Sequence, residues 1–372
     1  MILICTRFQR IVAQILTAMI LGCFTNLSPY AAGGESILPL PRFAIDHEWP
    51  KLPPNFEIGE PTSFAVDVDD NIWLLHRPRA LPADRYPNAA PPVIKFNQAG
   101  EVVASWGGEG QGYHWPQREH FIYIDYQGFV WIGGNYCPDR DLERLQPVND
   151  DQILKFNQNG QLQLQIGAPD GSRGNNDRLN VHQPADAVVY QPTNELFVAD
   201  GYGNHRVVVF DSDTGKFKRQ WGAFGKPPED NDQCPPPALS SVPEGPGPDQ
   251  FSIIHGVRVS NDGLVYVADR ENRRVQIFTL AGEFLNQVIR HDTPFARNLT
   301  LSPDPEQRYL YVGNGAEIMV LDRDELEVLG SIALDGMIGG GHLITTDSQG
   351  NLYIAGTIRG MQKLKILPGL SD

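Results

Sequence analysis

HGVRVSNDGLVYVADRENRRVQIF, residues 255–278, is the stretch that decides the fold of this chain. Apolar and polar residues alternate on both sides of an Asn–Asp–Gly turn at residues 261–263, which is the pattern of two antiparallel strands joined by a hairpin. The same pattern recurs with its turn in the same place. The other copies are SFAVDVDDNIWLLHR from residue 63, HFIYIDYQGFVWIGG from residue 120, ADAVVYQPTNELFVAD from residue 185, RNLTLSPDPEQRYLYVG from residue 297 and HLITTDSQGNLYIAG from residue 342.

Most copies continue into a third strand and another glycine-containing turn, as in VIKFNQAGEVV at residues 93–103 and ILKFNQNGQLQ at residues 153–163. Six copies leave about 50 residues for each, which suits propeller blades with insertions. Four-stranded meanders repeated in this way predict an all-β, six-bladed β-propeller of NHL-type repeats. The chain shows no helical periodicity that would support a βαβ fold, and the repeats of a straight β-solenoid are shorter.

The two ends of the predicted ring fit together. The last copy stops after its third strand, at residues 364–367, and residues 42–46 precede the first copy. We therefore expect residues 42–46 to supply the missing outer strand of the last blade and to close the ring.

The amino-terminal segment has the composition of a signal peptide. Arg7 and Arg10 precede an apolar run at residues 11–24, and small residues follow at 31–33. We expect a signal peptide at residues 1–33, a single propeller domain at residues 34–372, and a secreted or periplasmic protein. The apolar run is short for a membrane span, so no integral membrane domain is expected. A retained anchor and a lipoprotein signal ending at Cys23 are the alternatives.

Charge and cysteine content limit the partners and the compartment. The chain has 45 Asp and Glu residues against 30 Lys and Arg residues, a net charge of −15, and no basic run, so we expect no nucleic-acid partner. Beyond the signal segment only Cys137 and Cys234 remain. A disulfide between their two loops suits an exported protein, and two unpaired thiols are the alternative.

Three histidines occupy one position of the repeat. The residues at the start of the first strand of each copy are, in chain order, Thr62, His120, Ala185, His255, Arg297 and His342. Equivalent positions of a propeller converge on its axis, and alternate blades of a six-fold ring lie about 120° apart. His120, His255 and His342 therefore predict a three-imidazole site for a divalent metal with an open position. Zinc is the expected metal, and copper, nickel or iron also accept such ligands.

Other polar residues fall at the ends of second strands, on the same predicted face. Arg77, Tyr202 and Arg270 occupy these positions. A phenol and guanidinium groups beside a metal are typical of an acid–base group with anchors for a carboxylate-bearing substrate. The structural alternative is that these residues cap blade edges or pair with Asp200 and Asp269. The long loops at residues 78–92, 135–149 and 223–250 are expected to project from this face and to shape it.

FVADGYGNHRVVVF at residues 197–210 and the stretch at residues 251–278 resemble the corresponding segments of peptidyl-α-hydroxyglycine α-amidating lyases. The resemblance covers nearly all of the chain beyond the signal segment. It implies that His120, His255 and His342 hold zinc and that Tyr202 acts as the base. It also implies that Arg77 and Arg270 lie in the substrate site, and that the reaction cleaves an N-acyl-α-hydroxyglycine into an amide and glyoxylate.

The chain also departs from that family. Gly203 stands where the family has a cysteine, and Leu343 replaces the acidic calcium ligand, so calcium is not expected. These differences favour a related lyase or hydrolase with another substrate, which we expect to be a small carboxylate-bearing molecule or a peptide. We expect the protein to be a monomer. A non-catalytic exported propeller that binds a peptide or protein is the alternative. A calcium-dependent lactonase would need clustered Glu, Asp and Asn at the channel, where this chain has His, Thr, Ala and Arg.

Overall fold

The computed structural model describes residues 38–54, 56–110, 112–138, 143–230 and 244–368. These residues form six four-stranded antiparallel sheets. The innermost strand of each sheet contacts those of the two neighbouring sheets, and the contacts return from the last sheet to the first. The fold is thus a six-bladed β-propeller, as the repeats predict.

The strands follow the chain order, with one exception at the closure. They are β1 (Phe43–Ile45), β2 (Glu60–Val66), β3 (Ile72–Arg77), β4 (Val93–Phe96), β5 (Val102–Trp106), β6 (Glu119–Ile124), β7 (Val130–Gly134), β8 (Gln152–Phe156), β9 (Leu162–Gly167), β10 (Asp186–Tyr190), β11 (Glu195–Asp200), β12 (Arg206–Asp211), β13 (Phe217–Trp221), β14 (Ile254–Val259), β15 (Leu264–Asp269), β16 (Arg274–Thr279), β17 (Phe284–Ile289), β18 (Asn298–Leu301), β19 (Tyr309–Gly313), β20 (Ile318–Asp322), β21 (Val328–Ile332), β22 (Leu343–Thr346), β23 (Leu352–Gly356) and β24 (Gly360–Ile366). Blades 1 to 5 are β2–β5, β6–β9, β10–β13, β14–β17 and β18–β21, and blade 6 is β22–β24 with β1.

Helical structure in the described residues is limited to short 3₁₀ segments. They include Pro78–Ala80, Tyr86–Asn88, Gln191–Thr193 and Ala223–Gly225. Within the same ranges, no helix has the length and apolar character needed to cross a membrane. The predicted signal peptide at residues 1–33 lies outside the described residues. Cys137 is disulfide-bonded, and Cys234 also lies outside them.

The ring closes through the amino-terminal strand, which confirms the prediction for residues 42–46. β1 pairs antiparallel with β24, with Phe43 opposite Ile366 and Ile45 opposite Leu364. Phe43 is buried and packs edge-on against Tyr311 of blade 5, with 6.3 Å between the ring centroids. The last blade is therefore built from both ends of the propeller.

A chain that begins at Glu48, and so lacks β1, is expected to lose about 3–6 kcal/mol of unfolding free energy. The loss combines the burial of Phe43 with the hydrogen bonds between β1 and β24. Such a loss is comparable with the whole stability of many domains. Urea unfolding against a chain that begins at Leu38 and keeps β1 measures it, and equal unfolding midpoints would contradict strand closure.

Buried ion pairs explain why two copies share an Ala–Asp segment followed by Asn and Arg. Asp200 accepts a 2.8 Å bond from Arg206, and Asp269 accepts a 2.7 Å bond from Arg274, with all four side chains 0% exposed. Arg206 also donates to the backbone carbonyls of residues 175, 177 and 180, so its charge is well solvated by the protein. These pairs fix the carboxyl ends of β11 and β15, which carry the candidate site residues.

Candidate metal centre

Three imidazoles meet where the inner strands begin. His120 lies in β6, His255 lies in β14, and His342 immediately precedes β22. Their ring centroids are 4.9 Å apart for His120 and His255, 4.5 Å for His120 and His342, and 4.8 Å for His255 and His342. One ring nitrogen from each lies within 4.8 Å of the others. The convergence expected from the repeat is therefore present, although the strands are separated by more than 80 residues of sequence.

Backbone carbonyls of the intervening blades orient these rings. His120 Nδ1 lies 2.7 Å from the carbonyl oxygen of Ala185, and His342 Nδ1 lies 2.8 Å from that of Thr62. A carbonyl only accepts, so Nδ1 carries the proton and Nε2 keeps its lone pair. Ala185 and Thr62 hold the same repeat position as the histidines, so the propeller supplies both the ligand and the group that orients it.

His255 follows the same arrangement less closely. It interacts with the backbone of Arg297, the equivalent position in the next blade, although its Nδ1 does not reach full hydrogen-bond geometry there. The imidazole of each histidine thus faces the backbone of the next blade in the ring.

All three histidines are held in the neutral form that binds metals. Removal from solvent lowers the pKa of each imidazole well below its ordinary value. The neighbouring histidines lower the pKa of His120 further, Arg270 lowers that of His255, and Arg77 lowers that of His342. Three neutral imidazoles, each of which offers one ring nitrogen, fit a zinc ion by donor type and number.

The Tyr202 hydroxyl lies against two of the three histidines. Its oxygen is 3.1 Å from His120 Nε2 and 3.0 Å from His255 Nε2. Arg270 Nη1 donates to it at 3.1 Å. Burial by itself would raise the pKa of Tyr202, but the positive charge of Arg270, with smaller contributions from Arg118 and Arg77, brings it below the ordinary value.

Local sequence explains how Tyr202 and Arg270 reach this position. Each follows a strand-ending aspartate, Asp200 or Asp269, that is already paired with a buried arginine. The structural alternative, in which Tyr202 and Arg270 pair with these aspartates, is therefore not what the fold uses. Arg270 is paired instead with Glu271 at 2.8 Å while it contacts Tyr202.

Arg77 lies at the edge of the site with most of its hydrogen-bonding groups in use. Its Nε donates to the carbonyl of Glu119 at 2.8 Å, and its Nη1 pairs with Glu60 at 2.9 Å. Its Nη2 is buried and has no hydrogen-bond partner in the described part of the chain. The positive charge of Arg77 also contributes to lowering the pKa of His120 and of His342.

Arg118 is a site residue that the sequence argument missed. The positive charge of Arg118 contributes to lowering the pKa of Tyr202 and of His342. Its Nη1 donates to the Asn135 side-chain oxygen at 3.2 Å. Arg118 lies two residues before His120 and directly before the inner strand β6. That position in the sequence could have identified it.

The structure explains why residue 203 is glycine here and not the cysteine of the lyases that the sequence resembles. A Cβ atom at residue 203 would collide with the imidazole of His182. His182 is held by Asp151, with 2.6 Å between Nδ1 and Oδ1, and its backbone N–H donates to Asp200 at 2.7 Å. The His182 ring therefore occupies the space beside Tyr202 that a side chain at residue 203 would need.

Two cavities are lined by residues of the candidate site or by their neighbours in sequence. The larger, about 400 Å³, lies between blades 1 and 2 and is lined by Arg77, Arg118 and the loop residues 79–83 and 143–145. The smaller, about 180 Å³, lies between blades 5 and 6 and includes His342, Arg297 and Arg359. The loops at 78–92 and 135–149 thus contribute to the predicted face, and much of the loop at 223–250 lies outside the described residues.

Comparisons with known proteins agree with the repeats. The NHL repeat family matches residues 182–210 and 251–278. Peptidyl-glycine alpha-amidating monooxygenase B of Xenopus laevis is 27% identical over 284 residues, which cover 73% of this chain and 28% of that protein. NHL repeat-containing protein 3 of Mus musculus is 27% identical over 286 residues, 73% of this chain and 67% of that protein.

A probable peptidyl-alpha-hydroxyglycine alpha-amidating lyase of Caenorhabditis elegans is 23% identical over 239 residues, which cover 61% of this chain and 57% of that protein. Among solved structures, the WD40 propeller domain of Doa1 aligns with a TM-score of 0.48 at 12% identity, over 82% of this chain and 78% of that one. The chain carries NHL repeats at residues 182–210 and 251–278 and is similar at low identity to the amidating monooxygenase and to NHL repeat-containing protein 3. It spans about a quarter of the length of the amidating monooxygenase.

Proposed function

We propose that this protein is a metal-dependent carbon–nitrogen lyase that cleaves an N-acyl-α-hydroxyglycine-type substrate into an amide and glyoxylate. The observation that carries the proposal is the placement of the Tyr202 hydroxyl within 3.1 Å of two of the three converging histidines and of Arg270. A structural tyrosine needs only one such partner, whereas a base needs a charge environment that favours phenolate.

His120, His255 and His342 would hold the metal, and zinc suits their neutral nitrogen donors. When bound, a divalent cation acts as a Lewis acid that polarises an oxygen of the substrate. Arg270 keeps positive charge beside the Tyr202 oxygen. The Ala185 and Thr62 carbonyls keep the imidazoles of His120 and His342, respectively, in one orientation.

The reaction balances without an oxidant, a reductant or water. Tyr202, as phenolate, removes the proton of the substrate α-hydroxyl, and the C–O bond becomes the carbonyl of glyoxylate. The C–N bond breaks, and its electron pair remains on nitrogen. Nitrogen then takes a proton, for which protonated Tyr202 is the available donor, and leaves as the amide.

The proposal is supported by similarity to two proteins whose names refer to amidation, one of them named as a probable lyase. Identity of 23–27% leaves room for another acyl group. The substrate class we propose is therefore a small carboxylate-bearing carbinolamide or a peptide with that terminus.

Release of glyoxylate from N-benzoyl-α-hydroxyglycine by the purified protein tests this function. We expect turnover that a chelator abolishes and that added zinc restores, because the histidine site supplies the only proposed electrophile. Benzamide and glyoxylate should appear in equal amounts. Absence of turnover by zinc-loaded protein on this compound and on hydroxyglycine-extended peptides would refute the proposal.

A second candidate, a non-catalytic binding propeller, rests on a specific observation. NHL repeat-containing protein 3 matches this chain with the same 27% identity as the amidating monooxygenase and over the same 73% of the chain. In that case the three histidines would bind metal without turnover, which the glyoxylate assay distinguishes.

We also propose that the protein is exported, to the periplasm or outside the cell. The disulfide on Cys137 supports this, because such bonds persist in oxidising compartments. The sequence at residues 7–24 has the charge and apolar run of a signal peptide.

A further inference from the structure

The cavity between blades 1 and 2 and the cavity next to His342 differ in their balance of charge. In the larger cavity three of the four lining arginines face carboxylates. Arg77 pairs with Glu60 at 2.9 Å, and Arg79 pairs with Glu119 at 3.2 Å. Arg144 lies 3.8 Å from Glu143 in the same lining. The positive charge of this cavity is therefore largely neutralised within the protein.

The smaller cavity has no such compensation. Its lining includes Arg297 and Arg359 and no acidic residue. Within the described ranges, neither guanidinium has an ion-pair or hydrogen-bond partner, and both residues are exposed to solvent. Two unpaired arginines in one small cavity are unusual in a chain of net charge −15, because mutual repulsion disfavours their proximity unless an anion joins them.

Neighbouring charges reinforce this imbalance. The positive charges of Arg270 and Arg359 both repel that of Arg297. The groups that favour the charged form of Arg297 are Tyr202 and Glu271, and the Glu271 carboxylate is already paired with Arg270 at 2.8 Å. The side of the metal centre next to His342 therefore has an excess of positive charge.

The shape of the cavity suits a small group. It encloses about 180 Å³ and includes His342, one of the three candidate ligands, so an occupant lies beside the metal centre. Gly315, Gly341 and Gly356 contribute to its wall, so little side-chain volume obstructs it. A Cβ atom at Gly315 would lie 3.0 Å from Arg297 Nη1, which shows how closely the guanidinium lies against that wall.

We infer that Arg297 and Arg359 form the subsite that binds the carboxylate of the substrate, beside His342. This inference rests on the proposed function, since a carboxylate is the part of an α-hydroxyglycine that both arginines can hold by charge-assisted hydrogen bonds. The acyl group then extends toward the larger cavity between blades 1 and 2. Arg77 is already paired with Glu60, so on that side it offers the acyl group only its remaining Nη2 as a hydrogen-bond donor.

Calorimetric titration of the purified protein with glyoxylate tests the assignment independently of turnover. The Arg297→Gln, Arg359→Gln double variant is expected to bind glyoxylate at least about tenfold more weakly than the unmodified protein, because charge-assisted bonds are lost. Arg308→Gln is the matched control, since that residue is exposed and pairs with Asp304 in another loop. Thermal unfolding midpoints should be equal in all three proteins.

Steady-state kinetics provides the second readout. If the lyase function holds, the double variant should raise KM for N-benzoyl-α-hydroxyglycine by a similar factor and leave kcat within about threefold, since the lost interaction binds substrate and transition state alike. Unchanged glyoxylate affinity and unchanged KM would overturn the subsite even in an active enzyme. Tighter binding of inorganic phosphate than of glyoxylate would overturn its assignment to a carboxylate.

The two proposals fail separately. Arginine-dependent binding of glyoxylate by a protein without turnover would refute the lyase function and support the anion subsite. Turnover with a KM that does not depend on either arginine would support the lyase and refute the subsite.

Discussion

The Tyr202→Phe variant is expected to lose glyoxylate release by about 10²–10⁴-fold while it keeps its metal and its fold. The change removes one oxygen atom, the atom that lies 3.0–3.1 Å from His120 Nε2, His255 Nε2 and Arg270 Nη1. The ring, which packs edge-on against His120 with 5.0 Å between centroids, remains in place. The loss should therefore appear in kcat, because the proton of the substrate hydroxyl has no acceptor.

The control for this variant is Tyr190→Phe. The Tyr190 hydroxyl makes only a 3.5 Å contact with the carbonyl of Asn261, away from the histidines. We expect it to leave turnover and metal content unchanged. A Tyr202→Phe protein with full turnover would remove Tyr202 from the mechanism, and loss of metal from that variant would make Tyr202 a structural support of the site.

The strand pattern was sufficient to predict the architecture because each blade is encoded locally. The alternation around Gly263 gives β14 and β15, and the same pattern around Gly128 gives β6 and β7. Closure was also predictable, since the last copy lacks one strand and residues 42–46 have the apolar character to supply it. β1 pairs there as expected.

The histidine site was predictable for a topological reason. Inner strands begin at one face of the ring, so equivalent repeat positions must converge there whatever their distance in sequence. His120 and His342 are 222 positions apart by their numbers, yet their ring centroids are 4.5 Å apart. The roles expected for Arg77, Tyr202 and Arg270 remain predictions, while their placement beside the histidines is a structural fact.

Other features depend on loop geometry and could not be read from the repeat. The unpaired state of Arg297 depends on Glu271 pairing with Arg270, and the neutralisation of Arg77 depends on Glu60. Neither pairing follows from strand periodicity. The collision that restricts residue 203 to glycine likewise arises from the position of the His182 ring, which a preceding loop sets.

Replacement of His255 is the second change with a large expected effect. His255 is fully buried, and its Nε2 faces the centre of the three-imidazole cluster. Removing one of three ligands leaves two, which hold zinc far more weakly than the complete set. The matched control is His76→Gln, because His76 is also fully buried but has backbone partners at both ring nitrogens.

The measurement that tests the central claim most directly is the zinc content of the purified protein, by elemental analysis, beside the His255→Ala and His76→Gln variants. We predict about one zinc per chain in the unmodified protein and in His76→Gln, and almost none in His255→Ala. The three proteins should have comparable far-ultraviolet circular dichroism spectra. No metal in the unmodified protein after zinc loading, or undiminished zinc in His255→Ala, would contradict the three-histidine metal centre.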